Sequence, residues 1–341
     1  MMQGLATGIG SLPHRDAERA VDLIFATCPS LPFWPQLPKR SAKEGMLAQF
    51  CEGLPCLRVN EEGVRFDAAD KEEELEQFYA KVIDAEENLD SFRISHDFSH
   101  GLFAFKKRLA GVDHASIERI KCHITGPFTF ASSIKNEKNV ALLHDPIFMQ
   151  VIVKALIMKA RWQLRFLSEF PRAIVFIDEP FLSCFGSAYT PINKEEVVRV
   201  LTELTEGIKA DGALTGIHCC GNTDWSMLTE VEGIDILNVD VYSFLDKFVL
   251  YAEALGKFLA RGGMICWGVV PTHGGQEVSE VESLVNRIEE GIKVLVRKGI
   301  KEELLRNNLL VSPSCGLGTL EVSAAENIFN LLARTCALLR K

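Results

Sequence analysis

Short apolar runs alternate with longer amphipathic stretches along almost the whole chain. Eight runs have the length and the β-branched or aromatic content of strands: 5–11 (LATGIGS), 32–37 (PFWPQL), 119–125 (RIKCHIT), 173–178 (AIVFID), 214–219 (LTGIHC), 235–241 (DILNVDV), 263–269 (GMICWGV) and 308–314 (NLLVSPS). Between them apolar residues recur at helical spacing, most clearly over 17–27, 145–170, 194–210 and 281–299. Strands that are apolar throughout, rather than at every second position, are buried on both faces. That is the mark of a parallel sheet covered by helices. Eight such units, ending in an amphipathic stretch over 322–341, predict an α/β fold of the closed (β/α)8 TIM-barrel type. No glycine-rich dinucleotide turn follows any strand, which disfavours an open nucleotide-binding sheet.

Two connections are longer than a barrel requires. Residues 54–117 carry a hairpin pattern (LRVNEEGVRFDA) and then charged helical sequence (KEEELEQFYAKVIDAEE), read as an insertion after the second strand. Residues 181–193 (FLSCFGSAYTPIN) form a long loop after the fourth strand, of the kind that can cover an active site. No repeat or low-complexity tract separates these parts, so residues 1–341 are expected to form one domain.

Charge and composition narrow the function. The chain has 341 residues and a formal net charge of −9. It carries no basic run interleaved with aromatics, so nucleic acid is not an expected partner. No stretch of about 18 uninterrupted apolar residues is present, and none is read as a membrane span. The start, MMQGLATGIGSLPH, has no charged region leading into an apolar one, so it reads as a first strand rather than a signal peptide, and a cytoplasmic location is expected. Ten cysteines are too sparse for a disulfide scaffold. Most are expected to be small buried hydrophobes, with a few available as metal ligands.

In a barrel the chemistry gathers at the C-terminal ends of the strands. Those ends read Gly10-Ser11, Asp178-Glu179-Pro180, His218-Cys219-Cys220-Gly221, Asp240, Val270-Pro271-Thr272-His273 and Ser314-Cys315-Gly316. Residues i and i+2 of a strand point the same way, so His218 and Cys220 can reach one metal while Cys219 faces packing. Cys315 could close on that metal from across the barrel mouth, and Asp240 could add a carboxylate. One imidazole, two thiolates and one carboxylate suit Zn2+. The competing reading is a set of ordinary buried residues that happen to end strands.

At these residues the chain resembles the catalytic C-terminal domain of cobalamin-independent methionine synthase, within the superfamily that also holds uroporphyrinogen decarboxylase and the corrinoid-linked methyltransferases. The motifs are IGS (9–11), ITGP (124–127), IDEP (177–180), HCC (218–220), GVVPTH (268–273) and SPSCGL (312–317), in the family's order. HCCGNT (218–223) is also similar to the corrinoid:coenzyme M methyltransferases. The resemblance implies that His218, Cys220 and Cys315 bind zinc, that Ser11 and Asp178 hold an amino acid, and that His273 handles a proton. It implies a glutamate as fourth ligand, where Asp240 stands here. Glu44 is a candidate second amine-binding carboxylate, although an exposed helical charge is the simpler reading.

The implied reaction is methylation of a small thiol, homocysteine giving methionine, with the thiol held as a thiolate by zinc because a neutral thiol is a poor nucleophile. Methionine synthase has a large N-terminal half that helps bind folate polyglutamate. This chain has no room for one, so the expected donor is a methylated corrinoid protein. The alternatives are methyl transfer to another thiol such as coenzyme M, a porphyrinogen decarboxylase, and a binding protein with a closed structural zinc. Asp178 suits an amino acid rather than a sulfonate, and decarboxylation needs no zinc cysteines.

Overall fold

A computed structural model describes residues 4–170, 172–187, 192–272 and 280–340. The strands are β1 (Leu5–Ala6), β2 (Leu57–Asn60), β3 (Gly63–Phe66), β4 (Ile120–Thr125), β5 (Ala173–Asp178), β6 (Leu214–Cys219), β7 (Ile234–Val239), β8 (Met264–Val270) and β9 (Leu309–Pro313). Seven of them form one curled parallel sheet in the order β1-β9-β8-β7-β6-β5-β4. Strand ends are placed within one or two residues of the sequence reading, except at the start of the chain. The expected strand 5–11 shortens to Leu5–Ala6, and the expected strand 32–37 is instead a pair of isolated bridges, Ser11 with Gln36 and Phe33 with Lys121. Gln36 N–H donates to Gly10 O and Lys121 N–H to Pro32 O, so this segment touches both edges of the curled sheet. Three prolines within 32–38 explain the irregularity, because each lacks the N–H that a ladder requires. The architecture is TIM-barrel-like.

β2 and β3 pair only with each other, as an antiparallel hairpin. The helices between and after the strands are α1 (Ala17–Thr27), α2 (Lys71–Ile83), α3 (His100–Leu109), α4 (Pro127–Ser133), α5 (Pro146–Phe166), α6 (Lys194–Lys209), α7 (Trp225–Glu230), α8 (Val241–Phe248), α9 (Ala252–Ala260), α10 (Val281–Arg297), α11 (Glu302–Asn307) and α12 (Val322–Leu339). Local chemistry sets several starts. Asp16, Asp145, Asn193 and Asp224 each accept backbone N–H groups at a helix N-terminus, and Pro146 follows Asp145 at the first helical position. No helix among the described residues is long and apolar enough to cross a membrane.

The sheet separates two apolar clusters. Leu5, Ile174, Phe176, Ile236, Met264 and Leu310 pack with one another on one face. Their neighbours Val175, Ile177, Leu237, Ile265 and Val311 pack outward with the helices. This two-sided burial is why the strands read as continuous apolar runs. Because the strands are parallel, their C-terminal ends share one rim, and Thr125, Asp178 and His218 follow one another in register along it. Residues 38–46 lie on that rim as well. Thr125 Oγ1 donates to Met46 O, Lys39 Nζ donates to Leu320 O (2.6 Å), and a side chain at Gly318 would meet Pro38 at 2.7 Å.

Candidate metal centre and substrate pocket

His218, the fifth residue of β6, and Cys220, just past its end, meet Cys315 beyond β9. One donor atom from each lies within 4.8 Å of the other two. A tetrahedral zinc with bonds of about 2.0–2.3 Å sets its donors roughly 3.5–3.8 Å apart, so the triad needs only a small contraction to fit. Most of the ten cysteines are buried, whereas Cys220 and Cys315 are partly accessible from the rim. Cys219 is buried, as its place between two ligands in a pleated strand predicts, and burial pushes its thiol up to about 12. Hydrogen bonds from Cys315 and His218 hold the Cys220 thiol well below its usual range, and that thiolate in turn pushes Cys315 up. A divalent cation between the two sulfurs would favour the thiolate form of both.

The surroundings hold each ligand. His218 Nδ1 lies 2.6 Å from Asn238 Oδ1, while Asn238 Nδ2 donates to Cys266 O and Ser312 Oγ. With its amide nitrogen committed as donor, Asn238 can only accept from the imidazole. His218 therefore keeps a proton on Nδ1, and Nε2 is the nitrogen left to face the sulfurs and a metal. Cys315 is braced from both sides: Ser314 N–H donates to Val270 O, Ser314 Oγ meets Thr272 Oγ1 at 3.1 Å, and Leu317 N–H donates to Ser11 O. Asn238 was not singled out from the sequence, although a lone amide within the apolar run DILNVDV is a visible signal. Replacing it with leucine is expected to leave the fold intact and weaken zinc binding by roughly 10- to 100-fold, read by competition with a chelator. Unchanged affinity would show that the imidazole needs no such support.

A second group of polar atoms borders the triad. Asp178 ends β5 in register with His218 and is partly accessible, but its Oδ1 is buried without a hydrogen-bond partner. Burial pushes its carboxyl up to about 6, against the opposing pull of Lys121 and His218. Glu44 corrects the expectation of an exposed charge, because it is fully buried. Its Oε1 accepts from Arg40 Nη1 (2.8 Å), and its Oε2 is buried without a partner. The fold encloses it because the 42–44 turn packs under the start of α3, where the His100 and Gly101 backbones face the carboxylate. Glu44 is thus already faced by the Arg40 guanidinium and by the His100 and Gly101 backbones, whereas the Asp178 oxygen that lacks a donor calls for a cationic ligand. Ser11 Oγ accepts from Gly318 N–H (3.2 Å), so its hydroxyl proton remains to donate.

Asp240, expected as the fourth ligand, is not among the donors that lie within 4.8 Å of one another, although its carboxyl is near enough to feel His218 and Cys220. Its Oδ1 accepts from Ser243 N–H (2.9 Å) and caps α8, a role that a strand-to-helix turn readily gives an aspartate. His273 lies outside the described residues. Glu179 is structural: it accepts from Phe128 N–H, Thr129 N–H and Thr129 Oγ1 at the start of α4. A side chain at Gly126 would come within 2.1 Å of it, which explains the glycine of the ITGP motif. Lys121, which the sequence reading passed over, is fully buried, donates to Ile9 O and lies 4.5 Å from the Phe176 ring.

Residues 106–335 match the family described as the catalytic domain of cobalamin-independent synthase. A methionine synthase of Methanocaldococcus jannaschii is 28% identical over 239 residues, covering 69% of this chain and 70% of that protein. The structure of a B12-independent methionine synthase from Shewanella sp. W3-18-1, in complex with selenomethionine, superimposes with a TM-score of 0.58 at 14% identity, over 99% of this chain and 98% of that one; it bears on the fold alone. A family described as cobalamin-independent gives no support to the methylated corrinoid protein expected as donor. With its matched region spanning both the HCC and SPSCGL motifs, the chain belongs to the cobalamin-independent synthase family, as a catalytic domain.

Proposed function

We propose that this protein transfers a methyl group to the sulfur of homocysteine, giving methionine, and that His218, Cys220 and Cys315 hold a zinc ion that the reaction requires. One observation carries the reading: an imidazole and two thiols converge at the strand ends, on a rim that also holds the donor-less Asp178 Oδ1. Zinc held there would lower the pKa of the substrate thiol and keep it nucleophilic at neutral pH. The chain's own groups do the rest. Two cysteine sulfurs make an electron-rich donor set, and the fourth position is left to the incoming sulfur rather than to Asp240. Asp178 and Glu44 receive the substrate ammonium, and Ser11 offers its hydroxyl proton. His273 is assigned the proton that a leaving group requires. Residues 32–36 act as the eighth stave of the barrel, with 54–117 as an elaboration after it. A sulfonate thiol such as coenzyme M fits less well, because two carboxylates would repel it.

The test supplies zinc-loaded protein with homocysteine and, separately, methyltetrahydrofolate, its polyglutamylated form or methylcobalamin, and measures methionine. Formation with at least one donor, abolished by removing the zinc, is expected. No methionine from any donor would overturn the reading.

A further inference from the structure

We propose that Arg40 binds the α-carboxylate of the substrate through the Nε–Nη2 edge of its guanidinium, and so makes the site selective for a free amino acid over other thiols. The inference rests on the homocysteine reading above. Arg40 Nη1 has two protons, and both are committed. One goes to Glu44 Oε1 at 2.8 Å and the other to His100 Nδ1 at 2.7 Å. His100 can accept there only as the neutral ring, and burial beside Arg40 keeps it so. These two bonds leave the Nε–H and Nη2–H pair without a hydrogen-bond partner among the described residues, on a side chain that is 29% exposed. That edge is a two-pronged donor of the geometry a carboxylate accepts.

Its position fits the role. Arg40 belongs to residues 38–46, which run along the strand-end rim from the Gly318 loop, near Cys315, to Met46 beside the end of β4. Glu44, whose Oε2 lacks a donor, is its immediate partner. On the same rim Asp178 Oδ1 lacks a donor, so an acceptor for an ammonium and an open fork for a carboxylate share it, which is the charge pattern of an α-amino acid. The fork is also preorganised, because Glu44 and His100 hold the guanidinium at its other end.

The experiment measures equilibrium binding by calorimetry to the zinc-loaded chain, for homocysteine, for 3-aminopropane-1-thiol, which lacks the carboxylate, and for 4-sulfanylbutanoate, which lacks the amine. Arg40→Gln is expected to weaken homocysteine and 4-sulfanylbutanoate by roughly 10- to 100-fold and to leave 3-aminopropane-1-thiol within about twofold. Arg40→Lys keeps a cation beside Glu44 but loses the fork, and is expected to show the same selectivity in weaker form. An equal loss for all three thiols in both variants, or no loss for any, would overturn the proposal while the homocysteine reading stands. If the unaltered protein binds none of the three, the homocysteine reading fails, and this assignment fails with it.

Discussion

Chains carrying Cys220→Ser or Cys315→Ser are expected to lose zinc almost completely after dialysis against a mild chelator, while unaltered protein keeps about one ion. Zinc bound by a set of protein ligands is stabilised by about 10–16 kcal/mol. Shared evenly over four positions, each ligand accounts for roughly 2.5–4 kcal/mol, or two to three decades in affinity. Serine is close to cysteine in size, and both thiols are only partly buried, so the melting temperature of metal-free protein should barely move. Cys219→Ser is the internal control. Its sulfur is buried beside the ligands but faces packing, so zinc content should hold while stability falls. Metal analysis by mass spectrometry, with melting curves alongside, reads both effects. Stoichiometric zinc in both ligand variants would dismiss the triad.

The second large effect is expected at Asp178. Asparagine in its place has the same shape but no charge. The buried oxygen that now lacks a donor would no longer attract an ammonium. Homocysteine binding is expected to weaken roughly 10- to 100-fold, and 4-sulfanylbutanoate, which has no amine, to bind unchanged or tighter once the repelling charge is gone. Calorimetry on the zinc-loaded variant reads the difference directly. Equal losses for the two thiols would remove Asp178 from the amine site and leave Glu44 to carry it. The pattern is the reverse of that expected at Arg40 with respect to 4-sulfanylbutanoate, so the two substitutions together assign the two ends of the amino acid independently.

Much of this molecule can be read from residue order. Strands 173–178 and 214–219, and helix 17–27, lie where the apolar pattern puts them, because local periodicity and two-sided burial both act through neighbours in the chain. The pairing of His218 with Cys220, and the outward turn of Cys219, follow from the pleat alone. Residue order fails where the deciding contact comes from far along the chain. The 32–37 run is apolar enough for a strand, but its prolines leave it bridging two sheet edges instead. Glu44 looks like a surface charge until the start of α3 closes over it, more than fifty residues on in sequence. Asp240 sits at a strand end like the metal ligands, yet the turn into α8 commits one oxygen to a cap. Asn238 stands out in sequence only as a polar residue in an apolar run, and Arg40 not at all. They gain meaning only because folding sets one amide against an imidazole from β6 and one guanidinium between a buried carboxylate and a neutral histidine. Periodicity is a property of neighbours, whereas hydrogen-bond commitment depends on which distant groups folding brings within 3 Å, and that commitment decides which polar atoms remain free for a substrate.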